Sequence, residues 1–220
     1  LNYLGEGNSQ LSIKTILSPD KDKLRTLKKA MDFIGHQPGI IFCNFKDVLE
    51  RVSDFLYDND IEHRCYHGGM EQLDREKALI KFRNGTNQIL LATDLAARGL
   101  DIADLPYVVN FHVPFLAEDY VHRVGRTGRA GQEGRAVSLV CADEFESLQA
   151  IEALLKTRIS RKEILGFEPD HRVPDSHPRS QKKAVKSAKP NKSKKQLPTP
   201  DVTEGPGLRT SPFAKHPFSK

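Results

Sequence analysis

Arg123, Arg126 and Arg129 recur at intervals of three in the stretch HRVGRTGRAG (122–131), with Gly125, Gly128 and Gly131 set among them. Arg126 and Arg129, three residues apart, can converge on one anion, each offering a planar fork that matches the oxygens of a phosphate. The glycines clear steric room around the forks at a cost in helix propensity of about 1 kcal/mol each, a loss that an ordinary surface helix has no reason to carry. The stretch is suited to holding phosphate.

Two further stretches carry polar side chains in loop contexts. LLATDLAARGLDI (90–102) is a buried-looking strand that breaks at Thr93-Asp94 and continues in small residues. Thr93 can donate to a phosphate oxygen, Asp101 can accept from paired hydroxyls such as a ribose offers, and Gly99 lets another backbone approach closely. An ordinary strand–turn–helix with a capping Asp reads the same residues equally well. In HGGMEQLDREKALIKFRNG (67–85), Gln72 and Arg75 fall three apart at a helix start, hence on one face, where an amide and a guanidinium suit a phosphodiester backbone. A solvated first turn with local Asp–Arg or Glu–Lys pairs also fits. His63, Cys65 and His67 alternate as HRCYH, but no second ligand pair stands at zinc-site spacing. The three cysteines, Cys43, Cys65 and Cys141, lie in apolar strand-like runs, which points to buried reduced thiols and a cytoplasmic compartment.

The elements that must position these residues alternate. Strands are expected at 12–17, 39–44, 62–66, 88–93, 107–111 and 136–141. Helices are expected after Ser18-Pro19 (an N-cap and first-turn proline, with Gly35 closing), at Val48–Leu56, at Leu73–Phe82, at Ala117–Val124 and at Glu144–Leu155. Strand–helix alternation predicts an α/β fold, a parallel sheet with helices on both faces. Working residues in such sheets collect beyond the carboxyl ends of the strands, which singles out Asn44, His67–Gly69, Thr93–Asp101 and the arginine loop.

Charge divides the chain. Residues 172–220 hold twelve Lys/Arg and three Asp/Glu, a net of +9; with +5 overall, residues 1–171 carry −4. The same segment holds eight of the thirteen prolines and only two aromatics, Phe213 and Phe218, too little apolar surface to offset ordering entropy, so it reads as a disordered basic tail. Its run QKKAVKSAKPNKSKK suits nucleic acid, or merely solubilises. No apolar run has membrane-spanning length and no signal peptide is evident. The opening LNYLGEGN reads as the middle of a longer protein. The expected layout is a linker remnant at 1–10, a domain at 11–156, a post-domain segment at 157–171 and the tail from 172.

Together these stretches resemble the C-terminal RecA-like domain of DEAD-box RNA helicases. IIFCNF (40–45) is similar to the family's fourth motif, QLDR (72–75) to its Gln-x-x-Arg motif and LLATDLAARGLDI to its fifth. HRVGRTGR matches the sixth residue for residue, with His122 where DNA helicases and DEAH-type enzymes usually have Gln. IEALLKTRISRKEILGFEPD (151–170) resembles the segment after the domain in bacterial members with basic tails.

The resemblance implies a RecA-like, P-loop NTPase-type sheet and roles position by position. Arg126 and Arg129 would be arginine fingers on the γ-phosphate of ATP, Asp101 would hold the ribose and Gly99 would lie beside the nucleotide. Asn44, Gln72, Arg75 and Thr93 would contact the RNA backbone, and His122 and Arg123 would bridge to the partner domain and to the fifth motif. The chain has no Gly-x-x-x-x-Gly-Lys-Ser/Thr and no Asp-Glu-Ala-Asp, so the phosphate cradle and the Mg2+ ligands are expected on an N-terminal RecA-like domain. This stretch alone would then be inactive, and ATP with Mg2+ would be used by the two-domain enzyme. RNA and that first domain are the implied partners, with ribosomal or degradation complexes possible through the tail, and no membrane. A free-standing RNA-binding or docking module and a DNA helicase of the same superfamily are the alternatives.

Overall fold

The computed structural model describes residues 11–163 apart from 36, 99, 101, 103 and 129–131. The linker remnant, the tail and the expected site residues Gly99, Asp101 and Arg129 lie outside the described residues.

Three four-residue strands, β2 (Gly39–Phe42), β4 (Ile89–Ala92) and β5 (Tyr107–Asn110), are buried along their whole length, as continuous apolar runs require when helices cover both faces. With β1 (Leu11–Leu17), β3 (His63–Tyr66), β6 (Gly134–Val140) and β7 (Ser160–Lys162) they form one seven-stranded sheet in the order β3-β4-β2-β5-β6-β1-β7, every pairing parallel. The α/β, RecA-like class read from the alternation is the class observed.

Strand alternation divides the core. Ile41, Leu91 and Val109 meet α1 (Leu24–Ile34) and α2 (Lys46–Asp58) on one face. Their neighbours Ile40, Leu90 and Val108 meet α3 (Gln72–Arg83) and α4 (Asp94–Ala97) on the other. Val108 stands opposite Ala136 in the ladder, so α5 (Ala117–Val124) and α6 (Phe145–Leu155), which pack on Ala136 and Val140, share that second face. Gly39 has no room for a side chain, because a Cβ there would stand 2.2 Å from the buried ring of Tyr107.

Two local expectations need correction. The first helix does not start at Ser18-Pro19: its N-cap is Lys23, in the left-handed region at φ 57°, while the Ser18 hydroxyl donates to Asp20 O at 2.9 Å and pairs with the Thr26 hydroxyl at 2.8 Å. Lys23 sets this boundary because its side chain is buried: Nζ donates to Phe111 O and Leu139 O, both at 2.9 Å, and to the Glu144 carboxylate. The sheet also runs on past residue 156, since β7 pairs with β1 beside Lys14, Thr15 and Ile16. Among the described residues no helix is long and apolar enough to cross a membrane.

Candidate functional site

Helix α5 buries Tyr120, Arg123 and Val124, which lie at i, i+3 and i+4 and so on one face. The two apolar members dock in the core and draw the guanidinium between them down to the carboxyl ends of the central strands. Arg123 is 1% exposed. Its five N–H donors meet five acceptors. Nε donates to Asp94 Oδ1 at 2.6 Å and Nη2 to Asp94 Oδ2 at 2.5 Å, a bidentate pair. Nη2 also donates to Asn44 Oδ1 at 2.8 Å. Nη1 donates to His112 O at 2.8 Å and to Asn110 Oδ1 at 3.3 Å. The ring of Phe42 lies 5.1 Å from the guanidinium carbon. One side chain thus ties the loops after β2, β4 and β5 to α5.

Asn44 is held from both ends of its amide, accepting from Arg123 and donating through Nδ2 to Val113 O at 2.9 Å. Thr93 is the N-cap of α4 and half-buried; its backbone N–H donates to Tyr66 O at 3.3 Å, joining the ends of β3 and β4. His122 is exposed, on the opposite side of α5 from Tyr120 and Val124.

Arg126 follows the turn at Gly125. Its Nη1 donates to Leu100 O at 2.7 Å and Ile102 O at 3.3 Å, the carbonyls on either side of Asp101. The backbone reinforces the contact, with Leu105 N donating to Arg126 O at 3.0 Å. Gly128, at φ 67°, lets the chain turn away, and the same close approach requires Gly134, where a Cβ would fall 2.3 Å from the Gly128 nitrogen. His122, Arg123 and Arg126 border one small recess with Asp94, Arg98 and Asp119.

Gln72 and Arg75 sit on the first turn of α3. Arg75 Nη2 donates to Gln72 Oε1 at 2.6 Å, and Gln72 Nε2 donates to Glu76 Oε1 at 2.8 Å. They lie where the chain leaves β3, Gln72 exposed and Arg75 half-buried, and bond to one another rather than to the Arg123 cluster.

Sequence reasoning gave no role to Asp94, His112 or the Lys23–Glu144 pair. Glu144 accepts from Lys23, from Val113 N at 3.1 Å and from Cys141 N at 3.1 Å, so it pins the β5 loop from the far side. The partners lie 29 residues apart for Asp94 and Arg123 and 121 for Lys23 and Glu144, and left no local signal. Burial pushes the Cys43 thiol up to about 12 and raises those of Cys65 and Cys141, which suppresses the reactive thiolate in all three. Among the described residues no three His, Cys, Asp or Glu side chains converge as metal ligands.

Residues 22–131 match the model of the helicase conserved C-terminal domain. The chain belongs to that family. It is the DEAD-box type of the domain, as its relatives attest. ATP-dependent RNA helicase FAL1 of Mycosarcoma maydis is 34% identical over 142 residues, covering 64% of this chain and 36% of that protein. Escherichia coli DEAD-box protein SrmB, solved bound to regulator of ribonuclease activity A, superposes with a TM-score of 0.70 at 29% identity, over 76% of this chain and 98% of that one. Saccharomyces cerevisiae Dbp5 bound to RNA and ADP BeF3 gives a TM-score of 0.66 at 27% identity, over 74% of this chain and 44% of that one. This DEAD-box C-terminal domain spans about a third of the length of curated relatives such as FAL1.

Proposed function

We propose that the chain is the second RecA-like domain of an ATP-dependent RNA helicase, acting in the cytoplasm, and that it supplies Arg126 and Arg129 to ATP and half of an RNA-binding cleft. The observation that carries this reading is the clamp of Arg126 on the carbonyls of Leu100 and Ile102. It places the first proposed finger beside the loop that bears Gly99 and Asp101, so one short edge would present a guanidinium to phosphate and a carboxylate to ribose. The names of the relatives support the reaction and the substrate, and the Dbp5 neighbour was solved with RNA and ADP BeF3.

Hydrolysis of the γ-phosphoryl bond builds charge on its oxygens, and an arginine held in place stabilises that charge by about three to five orders of magnitude in rate. Arg126 is oriented by the two carbonyls. Arg123 has all five donors engaged inside the domain, so its part is to hold Asp94 and the fifth-motif loop in register, while exposed His122 would face the first domain. Asn44, Gln72, Arg75 and Thr93 would meet the RNA backbone, which calls for no base readout. The described residues do not fit Mg2+, since Asp94 is engaged by Arg123 and Asp119 by Arg98. The ion and the phosphate cradle are assigned to the first domain, as is the requirement for a partner domain before any turnover. Ribosomal or degradation complexes would be recruited through the tail.

The test is made in a protein carrying both domains. Arg126→Ala and Arg129→Ala are each expected to lower kcat by about a thousandfold or more, with nucleotide-free RNA affinity unchanged. Normal ATPase with lost RNA binding in Arg129→Ala would overturn the assignment, as would robust ATPase from the 220-residue chain alone.

A further inference from the structure

The sheet face that carries α1 and α2 is open along one flank. In β1, Ser12, Lys14 and Ile16 point to that face, and the parallel registers set Lys14 between Val137 and Ser160, and Ile16 between Leu139 and Lys162. Helix α1 packs on Ile16 and Leu139 through Leu27, Ala30 and Ile34. Beyond its outer edge, over β1 and β7, a groove remains with Ile16, Ile34 and Val137 along it and Phe33, 75% exposed, at its rim.

The charge around this groove is one-sided. Lys14, Lys29, Arg135 and Lys162 border it and are exposed, and none has a carboxylate partner among the described residues; Glu163 is the one acid in the lining. A domain whose residues 1–171 sum to −4 has here gathered four cations around an apolar strip. Large exposed apolar side chains ringed by like charge mark an interaction surface, and the occupant must be both anionic and apolar. RNA answers the charge but not the apolar strip, and the proposed RNA residues lie at the carboxyl ends of the strands.

We infer that this groove docks an acidic linear segment of a partner protein, with one large apolar side chain seated beside Phe33 and carboxylates on either side meeting Lys14 and Arg135. The attachment leaves the ATP and RNA edge free, so a partner held there would ride on the domain through its working cycle. The inference stands independently of the roles given to Arg126 and Arg129.

A random peptide library displayed on phage and selected against the 220-residue chain tests it. The expected winners carry Asp or Glu on both sides of a Phe, Leu or Trp. A fluorescein-labelled copy of the leading peptide should bind about tenfold more weakly to Lys14→Glu/Arg135→Glu and to Phe33→Ser, and equally well to Lys81→Glu on α3. All of these side chains are exposed, so melting temperatures should be unchanged, which separates lost docking from lost folding. Failure to enrich acidic-apolar peptides, or selected peptides indifferent to the groove substitutions, would overturn the inference. So would groove substitutions that weaken a poly-uridine probe while sparing the peptide, because the surface would then be a nucleic-acid site.

Discussion

Lys23 and Arg123, both buried to 1% exposure, grip adjacent carbonyls of one loop: Lys23 Nζ donates to Phe111 O at 2.9 Å and Arg123 Nη1 donates to His112 O at 2.8 Å. Each cation is anchored by its own acid, Glu144 for Lys23 and Asp94 for Arg123. The loop after β5 is therefore clamped from both faces of the sheet. The next residue completes it, since Val113 donates its N–H to Glu144 and its carbonyl accepts from Asn44. A substitution at either cation should be felt at the other end of this chain of bonds.

Arg123 is the sharper case. Replacing it by Ala strands Asp94, Asn44 and Asn110 without their donor, and loss of one partner of a buried ion pair costs about 3–5 kcal/mol. Arg123→Lys should recover little, because three donors on a point charge cannot reach five acceptors spread over three loops. Urea unfolding of the two variants checks this, and a Lys variant as stable as the parent would refute the fork geometry. In a two-domain enzyme the same substitution is expected to lower ATPase by displacing the fifth-motif loop, because the donors of Arg123 are engaged inside the domain.

His112 adds a pH dependence. Burial first, then the cations Lys23 and Arg123, lower its pKa to about 4, with Glu144 opposing them. The unfolded imidazole titrates near 6.5. Between about pH 6.5 and 4 the unfolded chain takes up a proton that the folded chain refuses, so stability falls as pH drops through this window and the His112 contribution levels off below it. The loss is at most about 3 kcal/mol, and less because His112 is only half-buried. Unfolding midpoints measured from pH 7 to pH 4.5 should decline less steeply in His112→Gln; parallel declines would remove His112 as the cause.

The strands and most helices were legible because their signals are local. The runs at 39–42, 89–92 and 107–109 are apolar throughout, and α5 falls at Ala117–Val124 as expected. Lys23 was not legible. It sits in the polar run SPDKDK, which reads as solvated, and its partners Phe111 and Leu139 lie 88 and 116 residues away. The strand β7 escaped for the opposite reason: Ser160-Arg161-Lys162 has no apolar alternation, being an edge strand joined to the sheet by its backbone pairing with β1. At the site, the spacing of Arg126 and Arg129 pointed to a common anion, and Arg129 lies outside the described residues. The inward turn of Arg123 to Asp94 and the hold on Arg126 by the carbonyls of Leu100 and Ile102 had no local signal.

The last prediction concerns attraction to RNA at a distance. Residues 172–220 carry +9, while residues 1–171 carry −4, so the RNA edge proposed for the folded part must be a local patch, made by Arg75, Thr93 and backbone amides in a field that is otherwise unfavourable. The basic segment should supply most of the non-specific affinity. Each phosphate neutralised on a single strand contributes about −0.7 to the slope of log affinity against log salt. If about half of the twelve Lys and Arg engage, removing 172–220 should flatten that slope by about four and lower affinity by about an order of magnitude or more near physiological salt. Poly-uridine and mixed-sequence RNA should lose affinity alike, because phosphate contacts carry no base information. Salt titrations of fluorescent RNA binding, with and without the segment, decide the matter. An unchanged slope would make it a spacer or a protein-docking arm, and a loss confined to one RNA would mean that a motif within it, such as SPFAKHPF (211–218), reads a particular target.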